Sequence, residues 1–143
     1  MRDAKVGLLV LCSVVALIGC GRSGKTDQPS ALKLENLLQM PLAEEFTPGR
    51  EVIVSYVEIP PHTRMEQHWH PGEEFHYYLE GEVEIEIEGE PAITGRAGEV
   101  GHIPFGKMHT ATTGDQAAKA IVFRVHTTGE PVRYLEGGGS EER

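Results

Sequence analysis

Cysteine is nearly missing from this chain of 143 residues: there are two, Cys12 and Cys20, both inside the first 20 positions. No disulfide is therefore available to the body of the chain, and its redox compartment has to be read from something else. Positive charge is also short. Thirteen Lys and Arg stand against 22 Asp and Glu, a net charge of −9. That balance argues against nucleic acid as a partner, which needs a basic surface. It equally disfavours adsorption to anionic lipid headgroups by charge. Long apolar runs are confined to residues 6–21. Nowhere is there a nucleophile with its base, a glycine-rich phosphate loop or a dinucleotide fingerprint.

What is present is short alternating segments. Residues 82–88 (EVEIEIE) place Val83, Ile85 and Ile87 on one face and four glutamates on the other, the period of a half-buried strand. Residues 52–59 (VIVSYVEI) are β-branched and aromatic, and stop at Pro60-Pro61, which cannot continue a central ladder. Further strands are expected over 99–104 and 119–126, with a possible last one at 131–135. Residues 31–39 (ALKLENLLQ) leave helix and strand both open, through Leu34, Leu37 and Leu38. Short strands with turn signals every eight to twelve residues predict an all-β sandwich or barrel.

Histidine carries the chemistry. In His68–Gly81 (HWHPGEEFHYYLEG), His68 and His70 are two apart, so on a strand they share a face. Pro71 and Gly72 let the chain turn, and Glu74 returns a carboxylate to the same centre while Glu73 points away. A second cluster, Gly98–His109 (GEVGHIPFGKMH), adds the imidazole of His109. Three imidazoles and a carboxylate suit a divalent cation: iron, manganese, nickel, cobalt, copper or zinc. His76 and Tyr78 follow Glu74 at even spacing and are candidates to line the cavity; a core histidine bonded to a neighbour is the equal alternative for His76. Trp69, Phe105 and Met108 flank the ligands and are candidates for its mouth, with plain packing at the barrel end the commoner alternative. His102 is assigned to packing, and His126 carries no signal.

These two clusters resemble the two motifs of the cupins. His68, His70, Glu74 and Gly81 fit the first motif, and Gly98, Pro104, Gly106 and His109 fit the second. Two positions depart from the pattern: Thr113 stands where asparagine is usual, and His62 where a glycine opens the first motif. Both lie outside the four ligands and bear on loop geometry. The 16 residues between Gly81 and Gly98 make a short spacer, as in compact microbial cupins. The resemblance covers roughly residues 50–126. It implies a single-domain cupin β-barrel (a double-stranded β-helix, or jelly roll) over residues 32–136, with a metal on His68, His70, Glu74 and His109. Cupins commonly pair through barrel edges, so a homodimer is an expected possibility.

The N-terminus reads separately. Arg2 and Lys5 precede the apolar run, a secretory pattern shorter than the roughly 20 residues that span a bilayer comfortably. Its end, Leu17-Ile18-Gly19-Cys20, is similar to a bacterial lipobox. That resemblance implies cleavage after residue 19, acylation of Cys20 and anchoring to the cell envelope, with Gly21 compatible with outer-membrane sorting. An ordinary membrane anchor and an ordinary cleaved signal are the alternatives. Residues 20–31 would form a polar tether of about 15–20 Å, and residues 137–143 a disordered tail. The mature chain would carry 11 basic against 21 acidic residues, a net charge of −10.

Two classes of function follow. One is a dioxygenase similar to the small quercetin-dioxygenase-like cupins. It would bind a small enol or phenol as its anion, with Glu74 detaching to act as a base; a metal-dependent isomerase or lyase is a variant. The other is a surface-tethered binder of a small molecule or metal chelate, without catalysis. No twin-arginine pair is present, so the chain is expected to cross the membrane unfolded and take up its ion outside, where copper and zinc compete strongly. Ligating imidazoles must be neutral, so metal affinity is expected to fall on acidification through about pH 6.5.

Overall fold

Alternation in the strand sequences decides the layers. In the computed structural model, which describes residues 28–141, two antiparallel sheets face each other, and the described residues contain no helix. The chain runs β1 (Lys33–Pro41), β2 (Arg50–Ile59), β3 (His68–Trp69), β4 (Gly72–Glu80), β5 (Glu82–Ile87), β6 (Ile93–Arg96), β7 (Val100–Ile103), β8 (His109–Thr113), β9 (Ala118–Thr127), β10 (Arg133–Leu135) and β11 (Ser140–Glu141). One sheet has the order β1-β2-β9-β4-β7 and the other β11-β10-β3-β8-β5-β6. The expected all-β jelly-roll barrel is what the chain forms. The lipobox and signal segment lie outside the described residues.

Each sheet turns every second side chain inward. In β5, Val83, Ile85 and Ile87 are buried, while Glu82 and Glu84 are exposed. β2 alternates over its whole length, with Glu51, Ile53, Ser55, Val57 and Ile59 inward. The core joins Val57, Ile59, Tyr78, Val83, Ile85, Ile87, Ile103, Ala111, Ala118 and Val122 from both sheets. Burying each large aliphatic contributes on the order of 1.5–3 kcal/mol.

Three segments refine the sequence reading. Residues 33–41 are a strand and not a helix, paired along β2 with a register irregularity between Asn36 and Leu38. Residues 137–141 do not trail away: Gly137 and Gly138 take positive φ, and β11 returns along β10. Arg133 Nε donates to Glu141 Oε2 at 2.7 Å across that hairpin. Finally, Gly72 already belongs to β4, at the crossing from one sheet to the other. It has no room for a side chain, because a Cβ there would lie 2.3 Å from the Val125 carbonyl oxygen.

Candidate metal centre

The register of the strands brings the histidines together. His68 on β3 pairs directly with His109 on β8, and His70 follows at the end of β3. All three are buried, and one nitrogen of each lies within 4.8 Å of the other two. Each ring is fixed from behind. Nδ1 of His68 donates to the Glu66 carbonyl at 2.7 Å, that of His70 to Val132 at 2.6 Å, and that of His109 to Lys107 at 2.9 Å. In a neutral ring this leaves Nε2 as a bare acceptor, the arrangement that presents an imidazole to a metal.

Electrostatics keep two of these rings neutral. Burial first, then repulsion from His109 and His70, brings the His68 pKa down to about 3. Burial likewise lowers that of His109. Acidification near pH 6.5 therefore does not protonate His68 in the folded protein.

Glu74 stands beside this cluster on the facing sheet. Its Oε2 is 2.9 Å from His70 Nε2, and its Oε1 is 3.8 Å from His109 Nε2. With Nδ1 of His70 already donating to a backbone carbonyl, His70 Nε2 has no hydrogen-bond partner although it is fully buried. Two acceptors thus face each other at close range, an arrangement that a cation between them would satisfy. By this test the donor set fits a divalent metal. The carboxylate is also engaged elsewhere: Arg124 Nε donates to Oε2 at 2.5 Å, and His76 Nε2 lies 2.5 Å from Oε1. Burial alone would raise the Glu74 pKa, but Arg124, then His70 and His76, hold it well below the usual carboxylate range. A carboxylate so stabilised is a poor base near neutrality, which weighs against the expected base role of Glu74.

His76 and Tyr78 both point into the cavity. The Tyr78 hydroxyl lies 3.0 Å from His76 Nδ1, so the hydroxyl can donate to the ring, and the ring in turn to Glu74. Burial, then the charges of Glu74 and Glu99, push the Tyr78 pKa up to about 12. The cavity measures about 200 Å³, and its walls include His68, His109, Glu74, His76, Tyr78, Arg124 and the aliphatic core. Trp69, Phe105 and Met108 are not among them. Trp69 stacks on Tyr134 with ring centroids 4.4 Å apart, Phe105 lies exposed under Arg50, and the Met108 carbonyl accepts from Glu88 N–H at 2.8 Å. Trp69 and Met108 stand one residue from an inward ligand, which turns their side chains away from the cavity, and Phe105 lies in the loop between β7 and β8, so for all three the packing alternative holds.

Other histidines have other roles. Glu73 faces out, as expected, and its carboxylate lies 2.7 Å from Nε2 of His102, which stacks on Phe75. His126 is fully buried beside Glu51, at 3.6 Å, despite its silence in the sequence. The residue that sequence reasoning missed is Arg124. Its signal was present: in Ala118, Val122, Arg124 and His126 the inward period of β9 carries a guanidinium into the interior.

Residues 55–125 match the family described as the cupin domain. The chain carries a cupin domain. The match begins within β2 and ends within β9, so it encloses all three clustered histidines. No curated protein matches this cupin in sequence. Among solved structures, the cupin is similar to the DMSP lyase DddQ from Ruegeria pomeroyi, with 28% identity and a TM-score of 0.56, over 63% of this chain and 45% of that one. An RmlC-like cupin family protein of double-stranded β-helix fold from Methanocaldococcus jannaschii shares 14% identity and a TM-score of 0.57, over 72% of this chain and 86% of that one. A cupin-like protein from Thermotoga maritima shares 18% identity and a TM-score of 0.57, over 78% and 85%. The cupin spans less than half the length of the DMSP lyase. The two more distant likenesses show the fold alone.

Proposed function

We propose that this cupin is a metal-dependent enzyme for a small enol or phenol bound as its anion, with a dioxygenase reaction favoured. One observation carries the reading: three Nε2 atoms, each left as a bare acceptor by a backbone bond at Nδ1, converge within 4.8 Å of one another, those of His68 and His109 in residues that wall an apolar cavity. A divalent cation held by His68, His70 and His109, with Glu74 alongside, would supply Lewis-acid polarisation and a template for the anion. The chain's own groups do the rest. Ile53, Val57, Val83, Ile85 and Val122 exclude water and strengthen every charge interaction inside. Tyr78 stays protonated through neutral pH and can donate a hydrogen bond, while Glu74 stays charged. Export as a lipoprotein, anchored through Cys20, belongs to the same proposal and rests on the lipobox. Replacing Cys20 with Ser should abolish labelling by fatty acid.

A lyase is the second reading, supported by the 28% identity with a protein named as a DMSP lyase. The discriminating measurement is oxygen uptake with small diketones, other enols and flavonols after loading with each metal in turn. Uptake that disappears in His109→Ala supports the dioxygenase, and turnover that survives His109→Ala dismisses the metal mechanism. Product formation without oxygen uptake favours the lyase. Tight binding with no turnover leaves a receptor.

A further inference from the structure

We infer that Arg124 anchors a carboxylate of the substrate, a second group beside the enol or phenol oxygen that the metal would bind, and that the rest of the substrate is a short apolar body lying along the cavity towards Ala118. The inference rests on the metal-dependent reading above and names the substrate class for that site.

Strand register lays out the cavity in rows. Ile53, Arg124, Glu74 and Ile103 are paired across β2, β9, β4 and β7. The next inward row is Ser55, Val122, His76 and Gly101, and the next begins with Val57, Ala120 and Tyr78. From the facing sheet, His109 and Ile87 form one row, and Ala111 and Ile85 the next. The interior thus grades from a charged end at Arg124 and the histidines to an aliphatic end at Ile59 and Ala118.

Arg124 is more than its ion pair requires. Its side chain is 9% exposed, and burying a guanidinium costs several kcal/mol before any partner repays it. Nε donates to Glu74, and Nη1 reaches Ser55 Oγ at 3.3 Å. Nη2 makes no hydrogen bond among the described residues, yet the side chain forms part of the cavity wall. A guanidinium is a planar fork of five donors, shaped to hold a carboxylate at two points. The other cations of the cavity wall are occupied: Lys119 Nζ sits 2.8 Å from Glu80, and Arg133 Nη2 sits 2.7 Å from Glu141.

Charge points the same way. Glu74 offsets Arg124, and a divalent ion in the histidine cluster leaves the charged end positive even when the buried Glu51, one row beyond, is counted. Such an end favours an anion. Size sets the body: about 200 Å³ is below the roughly 300–1,000 Å³ of pockets for drug-sized ligands.

The test is calorimetric titration of butanoate, hexanoate and octanoate, and of the matching alcohols, into the zinc-loaded and zinc-free protein. Carboxylates should bind on the order of 30-fold more tightly than alcohols. Affinity should rise about fourfold per methylene until the chain outgrows the cavity. Arg124→Gln should weaken carboxylates on the order of 30-fold and leave alcohols unchanged. Arg124→Lys, which keeps a charge for Glu74, should lose less, and Ser55→Ala should lose a few-fold with the ion pair intact. Zinc stoichiometry is read on every variant. Equal affinity for carboxylate and alcohol in the unaltered protein overturns the proposal, whatever the variants do. Zinc bound at one equivalent with no carboxylate preference sinks the anchor and leaves the metal site standing. Carboxylates held through Arg124 without zinc binding would do the reverse.

Discussion

His62 holds a left-handed backbone, φ 52°, and is the single residue other than glycine to do so among the described residues. It occupies the position where the cupin motif has glycine, so here a side chain sits on a backbone conformation that glycine adopts at less cost. The left-handed region costs a residue with a Cβ about 1–2 kcal/mol, partly offset by the greater freedom of an unfolded glycine. The His62 side chain returns little, since its Asp115 contact is 3.7 Å long and exposed. His62→Gly should therefore raise stability by about 0.5–1 kcal/mol, read as a higher midpoint in urea; a lower midpoint would contradict the argument. Thr113 likewise finds work in the asparagine position. It is buried, its hydroxyl donates to the Pro60 carbonyl at 2.5 Å, and it accepts from Thr63 N–H at 3.1 Å, tying down the loop that carries His62.

The buried rings also set a pH response. Because the folded pKa of His68 is about 3 and that of His109 is lowered, the unfolded chain takes up protons first as pH falls below about 6.5. Stability is then fully present above that value and is lost progressively as pH falls towards 3. In the window where only the unfolded form is protonated, each ring removes about 1.4 kcal/mol per pH unit. Urea unfolding of the metal-free protein at pH 7, 6 and 5 should show the loss, and a constant midpoint would mean that the rings are not buried in neutral form. At this scale the ligands were legible, because even spacing on a strand is a statement about direction. Arg124 was overlooked although the period of β9 carried its signal, since a single arginine in a β-branched run reads as an exposed edge until the neighbouring rows are known.

Between elements, glycines mark where strands cross closely. At Gly72 a Cβ would meet the Val125 carbonyl oxygen at 2.3 Å and the His126 Cα at 2.8 Å, both backbone atoms that cannot yield without moving β9. Gly72→Ala should cost about 1–3 kcal/mol by overpacking and loosen metal binding, since the same crossing carries both His70 and Glu74 into the site. Gly114→Ala is the control: nothing lies within 4 Å of its would-be Cβ. An unchanged midpoint for Gly72→Ala would show that the crossing is looser than its geometry. Element types followed from alternation in β2, β5 and β9, where one face is buried and the other wet. β1 was ambiguous for a physical reason. Leu34, Leu37 and Leu38 do not follow period two because the register slips between Asn36 and Leu38, so Leu34 meets the cavity while Leu38 lies opposite Val54. A bulge in an edge strand imitates helical spacing.

For the whole molecule, strand pairing and three backbone hydrogen bonds orient the rings that a cation would need, so the interior is prepared for one. The overall topology was legible from two motifs and a strand count. The cavity's gradient from charge to aliphatic surface was not, because it arises from pairings between residues as distant as Ser55 and Val122. This preparation makes a quantitative demand. A cation that binds only the folded form stabilises it by RT ln(1 + [L]/Kd), about 2.7 kcal/mol at a hundredfold excess over Kd. For a domain near 100 residues, 1 kcal/mol moves Tm by about 4–8 °C, so saturating zinc or manganese should raise Tm by at least 10 °C or so. Chelation should reverse the shift. His68→Ala and His109→Ala should remove it, since each takes a donor from a cluster of three. His102→Ala should leave it intact, because that ring faces outward against Glu73 and Phe75. If the thermal shift persisted in His109→Ala and vanished in His102→Ala, the cation would be sitting on the outer surface of the sheet, and the inward convergence of the three rings would have no bearing on it.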